Sequence, residues 1–212
     1  HPSPRDAAVL AALVVHQGRT VPVEVLADAV WGESVPASWR KVLQGAVLRL
    51  RQHLGTGAIA TEPNGYRLAL GRDEVDAWAF EDGVARAESV LAGGDGATRD
   101  QILADALALW GDRPYPELAD WLPASAESVR LVELRLLAEE RQLEARLALG
   151  GHRNAVPMAA ALAEREPLRE QRWLVLSTAL YRSGRQAEAL RAINRARRHL
   201  ADELGLDLGT DL

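Results

Sequence analysis

Residues 58–70, AIATEPNGYRLAL, constrain the fold more than any other stretch, because they switch a chain patterned for helices to the two-residue period of strands. Asn64-Gly65 in their middle predicts a tight hairpin turn whose residues take positive φ angles. Three helical patterns precede it. RDAAVLAALVVHQG sets Ala8, Val9, Leu10, Ala12, Leu13 and Val15 on helical spacing, with Gly18 placed to stop the helix. Pro22 fits the first position of a second helix, VEVLADAVWG, which Gly32 ends. After the loop ESVPA, the stretch ASWRKVLQGAVLRLRQHLG gathers Leu43, Ala46, Val47, Leu50 and Leu54 on one core face. Arg40, Lys41, Gln44, Leu48, Arg51 and Gln52 fall on its polar side. Three helices followed by a hairpin is the layout of a winged helix-turn-helix.

The third helix is cationic in an anionic chain. Residues 37–55 hold four basic side chains and no acidic one, whereas all 212 residues carry a net charge of -5. Up to Leu70 there are seven Arg or Lys against five Asp or Glu, and the remainder holds 18 against 25. Such asymmetry between halves is a hint of a nucleic-acid-binding part, although +2 alone is small. Only Lys41 is a lysine, and the heavy Arg, Ala, Leu and Gly usage points to a GC-rich bacterial genome.

Other classes are poorly served by these residues. No apolar run approaches the roughly 18 residues of a membrane span, and the start lacks the order of a signal peptide, so no membrane partner and a cytoplasmic location are expected. The absence of cysteine rules out disulfides and thiolate chemistry. His16, His53, His152 and His199 form no HxxxH or HExxH pair, and DEVDAWAFED lacks the spacing and central glycine of a calcium loop. No Gly-x-Ser-x-Gly or other nucleophile arrangement is present. The expectation is no enzyme, no metal and no cofactor. Trp31, Trp78, Trp110, Trp121 and Trp173 are expected to pack in cores rather than to line a ligand box.

Beyond the polar segment GRDEVDA the chain reads as helices near 77–92, 98–110, 125–149, 152–165, 169–182 and 185–204. The linker AGGDGATRD lacks the GK[ST] ending of a phosphate loop. LALGGHRNAVPMAAAL and LYRSGRQAEALRAINR align with Gly151 over Gly184, near the roughly 34-residue tetratricopeptide period. Trp173, Ser177, Leu180, Ala189, Ile193 and Ala196 supply the alternation of large and small residues in the second copy. The first copy is degenerate, with Glu140 and Glu144 where apolar or small residues belong. The fold class is therefore mainly α, a winged helix-turn-helix domain followed by an all-α tetratricopeptide-like helical domain.

The segments LADAVWGESVPAS, RKVLQGAVLRLRQHLG, PNGYRL, DEVDAWAFE, ALALWGDRPYPELADW, EREPLRE and LADELGLD, in this order with those above, resemble the Streptomyces antibiotic regulatory protein family. The resemblance covers nearly the whole chain and implies an OmpR-type winged-helix DNA-binding domain over 1–72 and a bacterial transcriptional activation domain over 73–212. It departs from the family in three places. The small sheet usual before the first helix is expected to be missing, Trp39 stands where a small residue is usual, and GLDLGTDL lacks the common prolines, all consistent with a fragment.

The resemblance implies an activator of secondary-metabolite genes that binds promoter direct repeats as a dimer on double-stranded DNA and assists RNA polymerase. On charge alone the third helix could be a solvated basic face. With the hairpin behind it, Arg40, Lys41, Gln44, Leu48 and Arg51 become candidates for base and phosphate contacts, since a major groove admits an α-helix. Which of them read bases is not fixed by spacing. Asn64 serves the turn, while Tyr66 and Arg67 are candidates for phosphate or minor groove and equally for plain strand positions. Relatives of the OmpR type touch polymerase through the loop before the recognition helix, which makes Glu33 and Ser34 candidate contacts. The alternative is a protein-interaction adaptor, or a regulatory piece of a larger signalling protein, that keeps the winged helix only as a fold.

Overall fold

A computed structural model describes residues 2–90 and 96–209. Two compact units divide them, one of residues 1–82 with 109–134 and one of residues 83–108 with 135–212. This grouping differs from a division at 72/73, because residues 109–134 pack within the first unit.

In the first unit, α1 (Pro4–Val15) starts where the Ser3 hydroxyl accepts from the Asp6 amide and proline occupies the first turn. Next come β1 (Val21–Pro22), α2 (Val23–Trp31), α3 (Trp39–Leu54), β2 (Ile59–Glu62) and β3 (Gly65–Leu68). The sheet has the order β1-β3-β2, with both pairs antiparallel. Strand β1 was not legible in the sequence, and Pro22 ends it and caps α2 instead of opening the helix. The hairpin lies where its pattern predicts, but its turn is Pro63-Asn64, since Glu62 pairs with Gly65. Neither Pro63 nor Asn64 nor Gly65 has a positive φ. Proline locks φ near -65° and so excludes the mirror-image turns.

Gly65 has a different task. A Cβ there would collide with the Val21 carbonyl oxygen and sit 2.7 Å from its carbon, so glycine is what lets β1 lie against β3. Gly65→Ala is expected to destabilise the first unit by about 1–3 kcal/mol, read as a lower melting temperature.

Val9, Ala12, Leu13, Val21, Leu26, Leu43, Val47, Leu50, Ile59 and Leu68 form the core of this unit, joined by Trp78, Leu118, Trp121 and Ala124. The last two belong to the segment around the turn Pro116–Leu118 and to the start of α6 (Leu122–Ala148). Both buried indoles find acceptors, Trp78 at the Val14 carbonyl (3.1 Å) and Trp121 at the Asp28 carboxylate (2.9 Å). Trp31 and Trp110 are half-buried. Leu54, expected on the core face, is 41% exposed because the last turn of α3 runs past the core.

Asp6 is buried on α1 and accepts two hydrogen bonds from Arg49 of α3, at 2.9 and 2.6 Å. The Arg49 guanidinium holds the Asp6 carboxyl below its ordinary 3.8. A depressed folded-state pKa contributes stability that is complete above the unfolded value, about 4, and is lost as the pH falls through the folded one. Asp6→Asn is therefore expected to lower melting at neutral pH and to converge with the parent in acid. Thermal scans of both chains from pH 7 to 2 check this.

The second unit contains the rest of α4 (Asp76–Val90), α5 (Gly96–Ala108), the rest of α6, α7 (His152–Arg165), α8 (Glu170–Arg182) and α9 (Gln186–Leu204). The expected helix end at 92 and Gly93-Gly94-Asp95 of the linker lie outside the described residues. The predicted repeat is present in α7 to α9, where Trp173, Leu176, Ala179, Leu180, Ala189, Ala192 and Ala196 pack with Ala155, Ala159, Leu162 and Ala163. Gly184 ends α8 at φ +80°, and its counterpart is Gly150 at +81°, not Gly151. The copies thus stand one residue further apart than the Gly151 alignment suggests, on the roughly 34-residue period.

The degenerate positions of the first copy have a charged solution. Glu140 is buried beside Glu139, and both meet Arg172, whose side chain is 0% exposed and which also donates to the Leu162 carbonyl, while Glu144 is half-buried and pairs with Arg141 and Gln171. Arg165 adds a bond to Glu139 and Arg169 one to Glu140. Among the described residues, no helix is long and apolar enough to cross a membrane.

Candidate nucleic-acid interface

Three of the four cations on α3 have partners within the protein, Arg40 through an exposed ion pair with Glu24 and the other two through more extensive bonds. Arg49 is held by Asp6, and Arg51 bends back to β2, donating to the Ile59 carbonyl at 2.9 and 2.7 Å and to the Thr61 hydroxyl at 2.7 Å. Arg51 is half-buried and ties α3 to the hairpin. Arg40, Lys41, Gln44 and Leu48 are exposed. Arg40, Gln44 and Leu48 follow each other at four-residue intervals, so they form one strip along about 12 Å of helix, flanked by Lys41.

This strip conflicts with local preference. Helix N-termini carry positive partial charge and favour acids, yet the first turn of α3 has no acid and holds Arg40 and Lys41. Both cations therefore add to a field that attracts anions, the arrangement that suits a phosphate backbone. Leu48, 59% exposed, adds an apolar surface at the far end of the strip from Arg40.

The hairpin meets the start of α3 at a depression of about 360 Å³ lined by Val23, Glu24, Arg40 and residues 61–66. The fold thus brings Arg40 together with Asn64 and Tyr66. Asn64 is exposed in the turn, and its carbonyl accepts from the Val23 amide at 3.2 Å. Tyr66 is half-buried against the core, paired across β3 with Val21 and Thr61. Arg67 pairs with Glu62 at 3.1 Å. Glu33 and Ser34 stand exposed in the loop between α2 and α3. Among the described residues, no group of three or more metal-ligating side chains occurs.

Sequence reasoning missed Glu24. It reads as an ordinary acid in the first turn of α2, but its carboxylate accepts from Arg40 at 3.0 Å, sixteen residues away. Nothing in the spacing signals that pairing.

Residues 75–212 match the family model of the bacterial transcriptional activator domain, and residues 1–68 match that of the transcriptional regulatory protein, C terminal. The regulatory protein DnrI of Streptomyces peucetius is 31% identical over 211 residues, which take in 94% of this chain and 77% of DnrI. The chain belongs to the Streptomyces antibiotic regulatory protein family. Other members of that family's sequence neighbourhood are longer. The regulatory protein AfsR of Streptomyces griseus is 37% identical over 97% of this chain, but the chain spans only 21% of AfsR. The transcriptional regulatory protein EmbR of Mycobacterium tuberculosis is 33% identical over 99% of this chain and 56% of EmbR. A solved structure of Mycobacterium tuberculosis EmbR, in complex with a low affinity phosphopeptide, superposes with a TM-score of 0.90 at 32% identity, covering 99% of this chain and 57% of that one. The chain therefore shares fold with EmbR and sequence with all three regulators along nearly its whole length.

Proposed function

We propose that this chain is a sequence-specific DNA-binding transcriptional activator of secondary-metabolite genes, working in the cytoplasm. Residues 1–72 supply the DNA-binding domain and 73–212 the activation domain. It carries out no catalysis of its own: it binds direct repeats near a promoter, two protomers on one duplex, and helps RNA polymerase engage. The observation that carries this reading is the exposed strip Arg40, Lys41, Gln44 and Leu48, with its cations at the positive end of α3.

Each member of the strip has a fitting partner. Arginine chelates guanine O6 and N7, glutamine pairs with adenine, and Leu48 can meet a thymine methyl. Lys41 is a point charge suited to phosphate. Asn64 and Arg67 on the hairpin offer further backbone contacts, with Tyr66 behind them. Arg51 contributes by holding helix and hairpin in register. Glu33 and Ser34 face outward from the loop before α3 and are the proposed polymerase contacts.

Selection of the full chain on duplexes with a randomised core, followed by sequencing of the bound fraction, tests the reading. A repeated half-site should be enriched, with half-sites about one helical turn or a multiple apart. Enrichment of no sequence over the input library would remove the DNA reading and leave the protein-interaction adaptor in its place.

A further inference from the structure

The ion pair between Glu24 and Arg40 carries an inference that rests on the reading of α3 as a DNA-binding helix and deepens it. Both side chains are open to solvent, 64% and 67% exposed, so the pair adds little to folding. Its geometry is nevertheless specific. The Arg40 Nη2 donates to the Glu24 carboxylate at 3.0 Å, while the guanidinium carbon stands 4.7 Å from the centre of the Trp39 ring. One contact fixes an end of the planar fork and the other supports its face. The neighbouring carboxylate of the same depression, Glu62, is already engaged by Arg67.

We propose that Glu24 and Trp39 are positioning residues that pre-set Arg40 for one base and thereby determine specificity. A guanidinium has five N–H donors, and Glu24 uses one at one end, so an edge of the fork stays available for a guanine. An exposed arginine normally loses rotamer freedom when it binds; here that freedom is already restricted before DNA arrives. The carboxylate also acts against the wrong sequence. Beside a phosphate backbone it is repulsive, and only a duplex that offers Arg40 its bidentate partner offsets that repulsion. Trp39 supplies the aromatic floor under that guanidinium.

The test uses the full chain, the duplex it selects, and a scrambled duplex of the same composition. Glu24→Ala is expected to raise affinity for the scrambled duplex while lowering the cognate-to-scrambled ratio about tenfold, the discrimination of one bidentate contact. Glu24→Gln, which keeps the side-chain shape in the first turn of α2, should lower the ratio in the same direction, and both should melt like the parent. Trp39→Leu should also reduce the ratio. In an Arg40→Ala background the same Glu24 change should no longer alter the ratio. If the parent selects a sequence but the ratio survives Glu24→Ala, or falls equally without Arg40, the positioning role is wrong and DNA reading by α3 stands. If the parent prefers no duplex, the DNA reading itself fails.

Discussion

Arg172→Met is expected to destabilise the second unit by about 3–5 kcal/mol, the cost of leaving buried charge without its partner. Arg172 is fully buried and bridges Glu139 at 3.0 Å and Glu140 at 3.1 Å, with both carboxylates also buried. Arg165 and Arg169 lie at the rim, 44% and 30% exposed, and approach Glu139 and Glu140 from the more exposed side, whereas Arg172 holds both from within the core. Arg165→Ala should accordingly cost much less, because its partner keeps the bonds from Arg172 and Arg135. Calorimetry of the full chain should find the Arg172→Met transition lower by on the order of 10 °C. A shift no larger than that of Arg165→Ala would mean that the cluster is wetter than its burial indicates. Replacing Glu139, Glu140 and Arg172 together by apolar residues should recover most of the loss.

That cluster marks the limit of what the sequence could disclose. Glu140 stands out as a wrong residue for a tetratricopeptide helix, but its partner lies thirty-two residues away on α8, and no local pattern connects them. The same holds for α3. The helical period identified its core face, yet it could not reveal that Arg49 is claimed by Asp6, forty-three residues earlier, or that Arg51 turns back to β2. The hairpin was legible because alternation and a turn dipeptide are local signals. Its turn was misplaced by one residue because Pro63, which forbids the mirror-image turn, outweighs the preference of Asn64-Gly65. Strand β1 is two residues long and exists only through its pairing with β3, which left Gly65 looking like a turn residue instead of a site of close approach. What remained readable was the outline: helices, hairpin, repeat, and a cationic strip at the start of α3.

The other large effect is expected in binding. Arg40→Ala should weaken the selected duplex by about 1–3 kcal/mol and relax preference at one base pair, whereas Lys41→Ala should weaken all duplexes alike and reduce the salt slope by about one. Both residues lie away from Leu43, Val47 and Leu50, so helical content and melting should not change. Titrations at several salt concentrations on cognate and scrambled DNA separate the two roles. A double variant that binds both duplexes as the parent does would move the reading head elsewhere.

The contact itself is the most direct measurement. With a photoreactive residue in place of exposed Leu48 on the full chain, irradiation of the complex with the selected duplex should attach the protein to a base in the major groove. Unlabelled cognate duplex should compete the product away. The same probe in place of Leu149, which is 52% exposed in the second unit, is the control and should give little product. Crosslinking from position 48 no stronger than from position 149 would contradict the claim that α3 reads DNA.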